Sequence, residues 1–500
     1  MRQVQALPEL LVTLGGRRLS AADTARIVSI RVRSALAQPT QCRLCWAADD
    51  SLTANPDTGD ALQVEIGGHR EPLFSGEITV VEYSYRADTG RQLRVRAYDA
   101  LHRLRKRQST RLLDATDLAG LARTLSAGTS LAVDAPALAV GVVYQVARSD
   151  LDLLVDEAAR HGRYPVVQGR SLRLVPSCGD GEPTTVTYGA TLHAAEIEVS
   201  AEPAYRSAEA TWWDATSAKV GTARTDDSQS AAEVAADPAP ARLGGGGAVL
   251  RHDELRAGDE AEPTDLARAD LDVRRQGEVT VTLVTEGNPA LQAGRRVRVA
   301  GVRSVVEGSY GITEATHDIT VSGYETTLNS RPPAPPRSRR LDQVTLGLVT
   351  DVDDPDDRGR VRVRLPAYSD LETWWAPVLL PAAGRDKGVV ALPDVDDTVL
   401  VLLPGRDPAH SIVLGGLFGS QSPPPPTTDR GATTLVRTRD GQQVTLDGTA
   451  RALTMTDGHG SSIELRPDLL RISAATDLLI EAPGRAFRVR ARTVDFEEAP

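Results

Sequence analysis

The chain has little sulfur, few aromatic rings and almost no lysine. Three cysteines in 500 residues, Cys42, Cys45 and Cys178, do not make a disulfide framework. Phenylalanine, tryptophan and tyrosine make up 4% of the residues, which argues against the stacking platforms that hold single-stranded nucleic acid. Lysine stands only at 106, 219 and 387, and a net charge of −11 offers no global field to nucleic acid or to an anionic membrane. No run reaches the roughly eighteen apolar residues of a membrane-spanning helix. The opening MRQVQALPELLVTLGG lacks the apolar core and small-residue cleavage site of a secretory signal, so folding in the cytoplasm is expected.

Catalytic signatures are missing as well. The eight histidines are scattered singly, with no HExxH, and neither GxSxG nor GxxxxGK[ST] occurs. Cys42 and Cys45 form a lone CxxC inside the strand-like QCRLCWAA, where a spacing of three puts them on opposite faces. No second pair completes a zinc set, so they read as ordinary strand cysteines. The carboxylates of DVDDPDDRG (351–359) and LPDVDDT (392–398) crowd into turns, lack the DxDxDG of a calcium loop, and suit local backbone hydrogen bonding. His459 in DGHG reads as a plain turn residue. No catalytic residue, metal or cofactor is nominated, and enzymatic activity is not expected.

What is present is alternation. IVSIRVRS, QCRLCWAA, LQVEIGG, LFSGEITVVEYSY and RQLRVRAYDA place apolar residues at period two, with a bend expected at Gly76. Helical patterns follow: ATDLAGLARTLSAG, capped by Asp114 or Thr116, and SDLDLLVDEAARHG, capped by Ser149 and followed by the hairpin 164–175. Residues 217–263, rich in Ala, Asp, Ser and Gly, read as a flexible or partly ordered excursion. RPPAPPRSRR (331–340) and SPPPP (422–426) read as stiff linkers. Between them, residues 347–417 carry short alternating runs, including Trp375–Leu380 and Gly388–Leu392, that fit a small closed OB-type barrel. From Thr433 the triplets VTL, LTM, IEL, LRI, LLI, FRV and VDF recur every seven to ten residues as a ladder of short rungs. Such rungs leave open edges that three chains winding round one axis would close. In IEL and LRI the middle residues, Glu464 and Arg471, should face solvent while Ile463, Leu465, Leu470 and Ile472 face the shared core, as should Leu478 and Ile480. Trp374 and Trp375, adjacent on a strand, should point to opposite faces, one filling the barrel and the other a neighbour. The basic run HRLRKRQSTR offers Arg103, Arg105, Lys106 and Arg107 either to an acidic partner or to solvent.

The order of pieces resembles a known group. The acidic DP turn, GRVRVRLP, WWAPVLLPAAG, the G…LPDVDD turn and the DP…VLGGL ending resemble the OB-fold of contractile-injection spike proteins, a group that includes VgrG proteins and phage hub–spikes. AYDALHRL, the helix–glycine–hairpin of 149–175, and the sequence around LQAGRRVRVAG, GSYGITEATH and YETTL resemble the hub of contractile tails. The resemblance implies a mainly β chain with two hub β-barrels (1–112 and 181–330) around a helical α/β insert (113–180). It also implies an OB-fold collar (341–420) and a trimeric β-helical spike (433–500). It further implies a structural homotrimer whose partners are an inner tube protein and tube adaptor, baseplate proteins, a PAAR-like tip protein and effector cargo, with no nucleic acid. The target membrane is touched only on puncture. The compact spike favours a phage-tail-like injection particle, released outside the producer, over a type VI secretion VgrG or a phage hub. Readings of another class are a trimeric carbohydrate-binding adhesin or a cell-wall lysin, for which no domain-sized room exists between the OB module and the spike.

Overall fold

The computed structural model describes residues 9–48, 52–114, 117–214, 219–228, 232–238, 249–256, 261–333, 342–419 and 432–497. Both proline-rich spacers, beyond the first few residues of the one at 331, lie outside the described residues, as does the glycine run 244–247. The chain divides into two compact units, one ending at Gly416 and the other beginning at Leu417.

The first unit is built on one eleven-stranded sheet. Its spatial order is Leu192–Val199, Val279–Glu286, Gly323–Asn329, Glu314–Thr320, Ile27–Ala35, Gln38–Ala47, Gly90–Tyr98, Phe74–Arg86, Ala61–Ile66, Leu10–Leu14 and Arg17–Arg18. Period-two alternation puts Ile30, Val32, Cys42, Leu44, Trp46, Val64, Val95 and Ala97 on one face, where they form a first core. A second core gathers Leu283, Leu291, Val297, Val299, Tyr310, Ile312 and Leu328. The two cores are not consecutive in sequence. Strand Glu314–Thr320 pairs with Ile27–Ala35, and Ile319 and Tyr324 pack into the first core. A boundary at residue 112 therefore does not enclose that core; local alternation carries no information on which distant strand supplies the next edge.

Two local expectations also need correction. Strand Phe74–Arg86 is uninterrupted at Gly76, and its register shift falls between Ile78 and Val80. Gly76 is needed for another reason: the carbonyl of Tyr98 occupies the place a Cβ would take. Helix Leu118–Ser126 is capped by Asp117, whose Oδ1 accepts from the Gly120 N–H at 2.6 Å. The described part of the excursion contains two strands, in keeping with partial order. Lys219–Thr225 and Val249–Arg256 flank Ser207–Asp214 in a three-stranded sheet that packs Ala208 and Ala210 on Ala267 and Leu271 of helix Ala261–Gln276. Alanine fills this core, so the usual bulky β signal is weak. Ser149 does cap helix Asp150–Arg160, accepting from the Asp152 N–H and donating to the Asp152 carboxylate.

The OB module is a five-stranded sheet in the order Leu371–Glu372, Arg362–Leu365, Gln343–Asp351, Thr398–Leu403 and Ile412–Leu417. Val349, Val361, Val363, Leu365, Val399, Val401 and Val413 fill it, joined by Tyr144 from strand Val143–Ser149, which pairs with Gln108–Leu113. The Tyr144 hydroxyl donates to the Glu372 carbonyl at 3.1 Å. The expected strands 375–380 and 388–392 do not form. Pro377 removes a ladder donor, so the first makes only isolated bridges, Ala376 to Val361 and Val378 to Val413; the second is irregular, with the Val389 N–H donating to the Pro381 carbonyl.

The second unit is an antiparallel meander of Thr433–Arg437, Gln443–Asp447, Ala452–Thr456, Ser462–Arg466 and Leu469–Ser473. The rungs expected at LLI, FRV and VDF form no strand among the described residues.

Candidate interaction surfaces

The acidic turn of the OB module is organised by one carboxylate. Asp354 accepts from the backbone N–H groups of Asp356, Arg358 and Arg360 at 2.9–3.1 Å and from the Arg360 guanidinium at 2.5–3.1 Å. The guanidinium, helped by those N–H donors, holds the Asp354 carboxyl well below the usual range. Its oxygens are committed to the turn, which leaves it a fold determinant.

Trp374 and Trp375 sit in a bend, so strand alternation does not govern them. The buried positions are taken by Thr373 and Ala376; Trp375 is half-buried and Trp374 is 46% exposed. Neither fills the barrel. Leu379, Val389, Val390, Leu392 and Val395 on the irregular stretch beside them are exposed as well.

In the second unit the register brings the apolar residues together. Val436, Val444, Met455, Ile463 and Ile472 stand in one cross-strand row, and Leu446, Leu453, Leu465 and Leu470 in the next. Glu464 pairs with Arg471 on the opposite face. The apolar face is uncovered in the single chain: Leu470 is 65% exposed and Ile472 56%. Val444 and Met455, at the ends of the VTL and LTM triplets, belong to it as their parity requires, and Val436, which the triplets leave out, joins them. Leu478 and Ile480, on the segment without strands, are exposed too.

The basic run is not a free loop. Arg103 forms a two-pronged pair with Glu77, at 2.6 and 2.9 Å. Arg105 lies over the Tyr98 ring at 5.6 Å. Arg107 donates to the Leu125 and Ala127 carbonyls at the end of helix Leu118–Ser126 and pairs with the buried Asp150 at 3.0 Å. Of the four residues offered to a partner, these three are spent within the chain, and Lys106 is exposed.

Sequence reading passed over a small cavity of about 30 Å³ where the first core, the insert and the second core meet, bordered by Ser34, Thr40, Asp99, Gln292 and His317. The buried Asp99 carboxylate accepts from the N–H groups of Thr40 at 2.7 Å and Leu101 at 3.0 Å. Burial outweighs those bonds and pushes its pKa up to about 6. His317 shares its Nδ1 between the hydroxyls of Tyr324 at 2.9 Å and Thr326 at 3.1 Å, and burial pulls its pKa down to about 4. Cys42 is buried and Cys45 lies on the outer face, as their spacing requires. Among the described residues no three His, Cys, Asp or Glu side chains gather as a metal-holding group, and no helix is long and apolar enough to cross a membrane.

Comparison with known proteins matches this architecture. Residues 345–418 fit the type VI secretion system/phage-baseplate injector OB domain. The Alg8 N-terminal domain matches residues 15–321, more than half of the chain, and the protein belongs to that family. Among solved structures, the lidded Francisella PdpA–VgrG complex contains a chain that aligns with TM-score 0.58 and 8% identity over 95% of this chain and 81% of that one. The half-lidded complex gives 0.57 and 9%, over 94% and 89%. The E. coli c3393 protein, a type VI secretion component described as similar in structure to T4 tail proteins gp27 and gp5, gives 0.51 and 11%, over 78% and 96%. At these identities the likeness is one of fold. No curated protein matches the sequence.

Proposed function

We propose that the protein works as a homotrimeric hub–spike of a phage-tail-like contractile particle. The observation that carries this reading is the two-row apolar face of Thr433–Ser473, which a soluble chain does not leave open. Three copies turned inward about one axis cover that face and give the unpaired edges Thr433–Arg437 and Leu469–Ser473 partners. In that assembly the hub seats an inner tube and its adaptor at the baseplate, and the OB collar passes force to the spike. The spike, carrying a PAAR-like tip and effector cargo, enters the target envelope when the sheath contracts. The work is mechanical, with no reaction catalysed, and a cell-wall zymogram of the purified chain should show no clearing band. Sedimentation equilibrium of the full chain tests the assembly: three times 53.4 kDa is expected, and a stable monomer at micromolar concentration would overturn it.

A further inference from the structure

The outer face of the large sheet carries an electrostatic conflict. Across five adjacent strands the register sets Asp318, Arg31, Arg43, Arg96 and Val80 in one row. Arg31 is neutralised by Asp318 at 2.5 Å, and in the neighbouring row Arg94 meets Glu82 at 3.1 Å. Arg43 and Arg96 stand directly opposite each other, and neither has a carboxylate partner among the described residues. The Arg43 Nε donates only to the Gln41 amide oxygen at 2.9 Å, and the Arg96 Nε is buried without an acceptor. Like charges directly opposed across two strands destabilise a sheet, and a desolvated donor without an acceptor adds to that. The residues line an open depression of about 450 Å³.

We infer that this arginine row is a docking site for an extended, carboxylate-bearing peptide segment of a partner protein. A carboxylate set between the two guanidinium forks satisfies both at once, in the two-pronged geometry that arginine favours. In an extended segment, alternate side chains point the same way about 7 Å apart, so successive carboxylates reach successive arginines. Glu82 and Asp318 flank the unpaired arginines on either side. Those carboxylates repel a continuous polyanion such as nucleic acid and admit a short acidic segment. Tyr98, on the same face, already lies under Arg105, so it offers a base no ring to stack on.

The test is fluorescence anisotropy of a labelled peptide of alternating glutamate and threonine with the full chain at low salt. Arg43→Gln/Arg96→Gln should weaken binding about tenfold or more, while Arg385→Gln, an exposed arginine of the OB module, should leave it unchanged. The double variant should melt no lower than the native chain, since it removes a like-charge pair, so that lost binding is not lost folding. Equal binding by the double variant, equal loss in the Arg385 control, or no binding by the native chain would each refute the site. So would a labelled oligonucleotide that binds as tightly and is lost with the same arginines. Sedimentation is read separately, and failure of the trimer leaves this result standing.

Discussion

Acid titration of the junction cavity should uncover two opposed contributions that cancel in the native chain. Burial raises the Asp99 carboxyl from 3.8 to about 6 and lowers the His317 imidazole from 6.5 to about 4. Between pH 3.8 and 6 the folded chain holds a proton on Asp99 that the unfolded chain has released. Its contribution is therefore full at acid pH and is lost as pH rises through about 6. Between pH 6.5 and 4 the unfolded chain protonates His317 while the folded chain does not, so this contribution is full above 6.5 and is lost as pH falls through about 4. At about 1.4 kcal/mol per pH unit each displacement is worth about 3 kcal/mol, with opposite sign. The native junction should be nearly flat from pH 7 to pH 4. Asp99→Asn should lose about 3 kcal/mol over that range, and His317→Gln should gain about as much. The variant carrying both changes should be flat again. Amide hydrogen exchange in strands Gln38–Ala47 and Glu314–Thr320, corrected for its intrinsic pH dependence, reads the effect locally, which matters because a chain with several cores does not unfold in two states. If both single variants keep the native pH slope, burial does not control these two groups and the reasoning fails.

Three further outcomes are expected. Ile472→Asp should abolish trimer formation in sedimentation, because three unpaired carboxylates near one axis cost several kcal/mol each, whereas Arg471→Asp on the polar face should change stability by about half a kcal/mol per chain; equal behaviour would refute the assigned faces. Asp354→Ala should strip the acidic turn of its acceptor and destabilise the OB module by about 3 kcal/mol, seen as faster exchange across residues 354–361, while Asp356→Ala should cost little. Tyr144→Ala should open a cavity in the OB core worth about 3–5 kcal/mol and loosen strand Val143–Ser149 with it, detectable as new proteolysis between residues 140 and 150.

Much of the strand content was legible because alternation is a local property. The triplets from Val444 to Ile472 became strands with the parity their spacing required, and Ser149 announced its helix through one hydroxyl three residues before a carboxylate. The OB module could be read from the order of its turns, yet two of its supposed strands failed at Pro377 and Gly388, where a donor is missing or the backbone is irregular. What alternation cannot carry is long-range pairing. Nothing near Ile30 specifies Ile319 across the ladder, and nothing near Arg103 specifies Glu77. The intrachain pairing of the basic run was hidden for that reason, since charge alone does not tell a free arginine from one spent on a helix end. The junction cavity was invisible because Asp99 and His317, more than two hundred residues apart, look like a turn residue and a strand residue until the fold buries both.

The splice between strands Ile27–Ala35 and Glu314–Thr320 bears on synthesis. A ribosome adding about 5–20 residues per second leaves the edge of the first core without its neighbour for about 15–60 s. During that interval a half-built sheet with an open edge is a template for the same strand on the next nascent chain of a polysome. Chains stalled before residue 314 should therefore be protease-sensitive around residues 27–35 and prone to cross-associate, and holdase chaperones should engage this protein early and let go late.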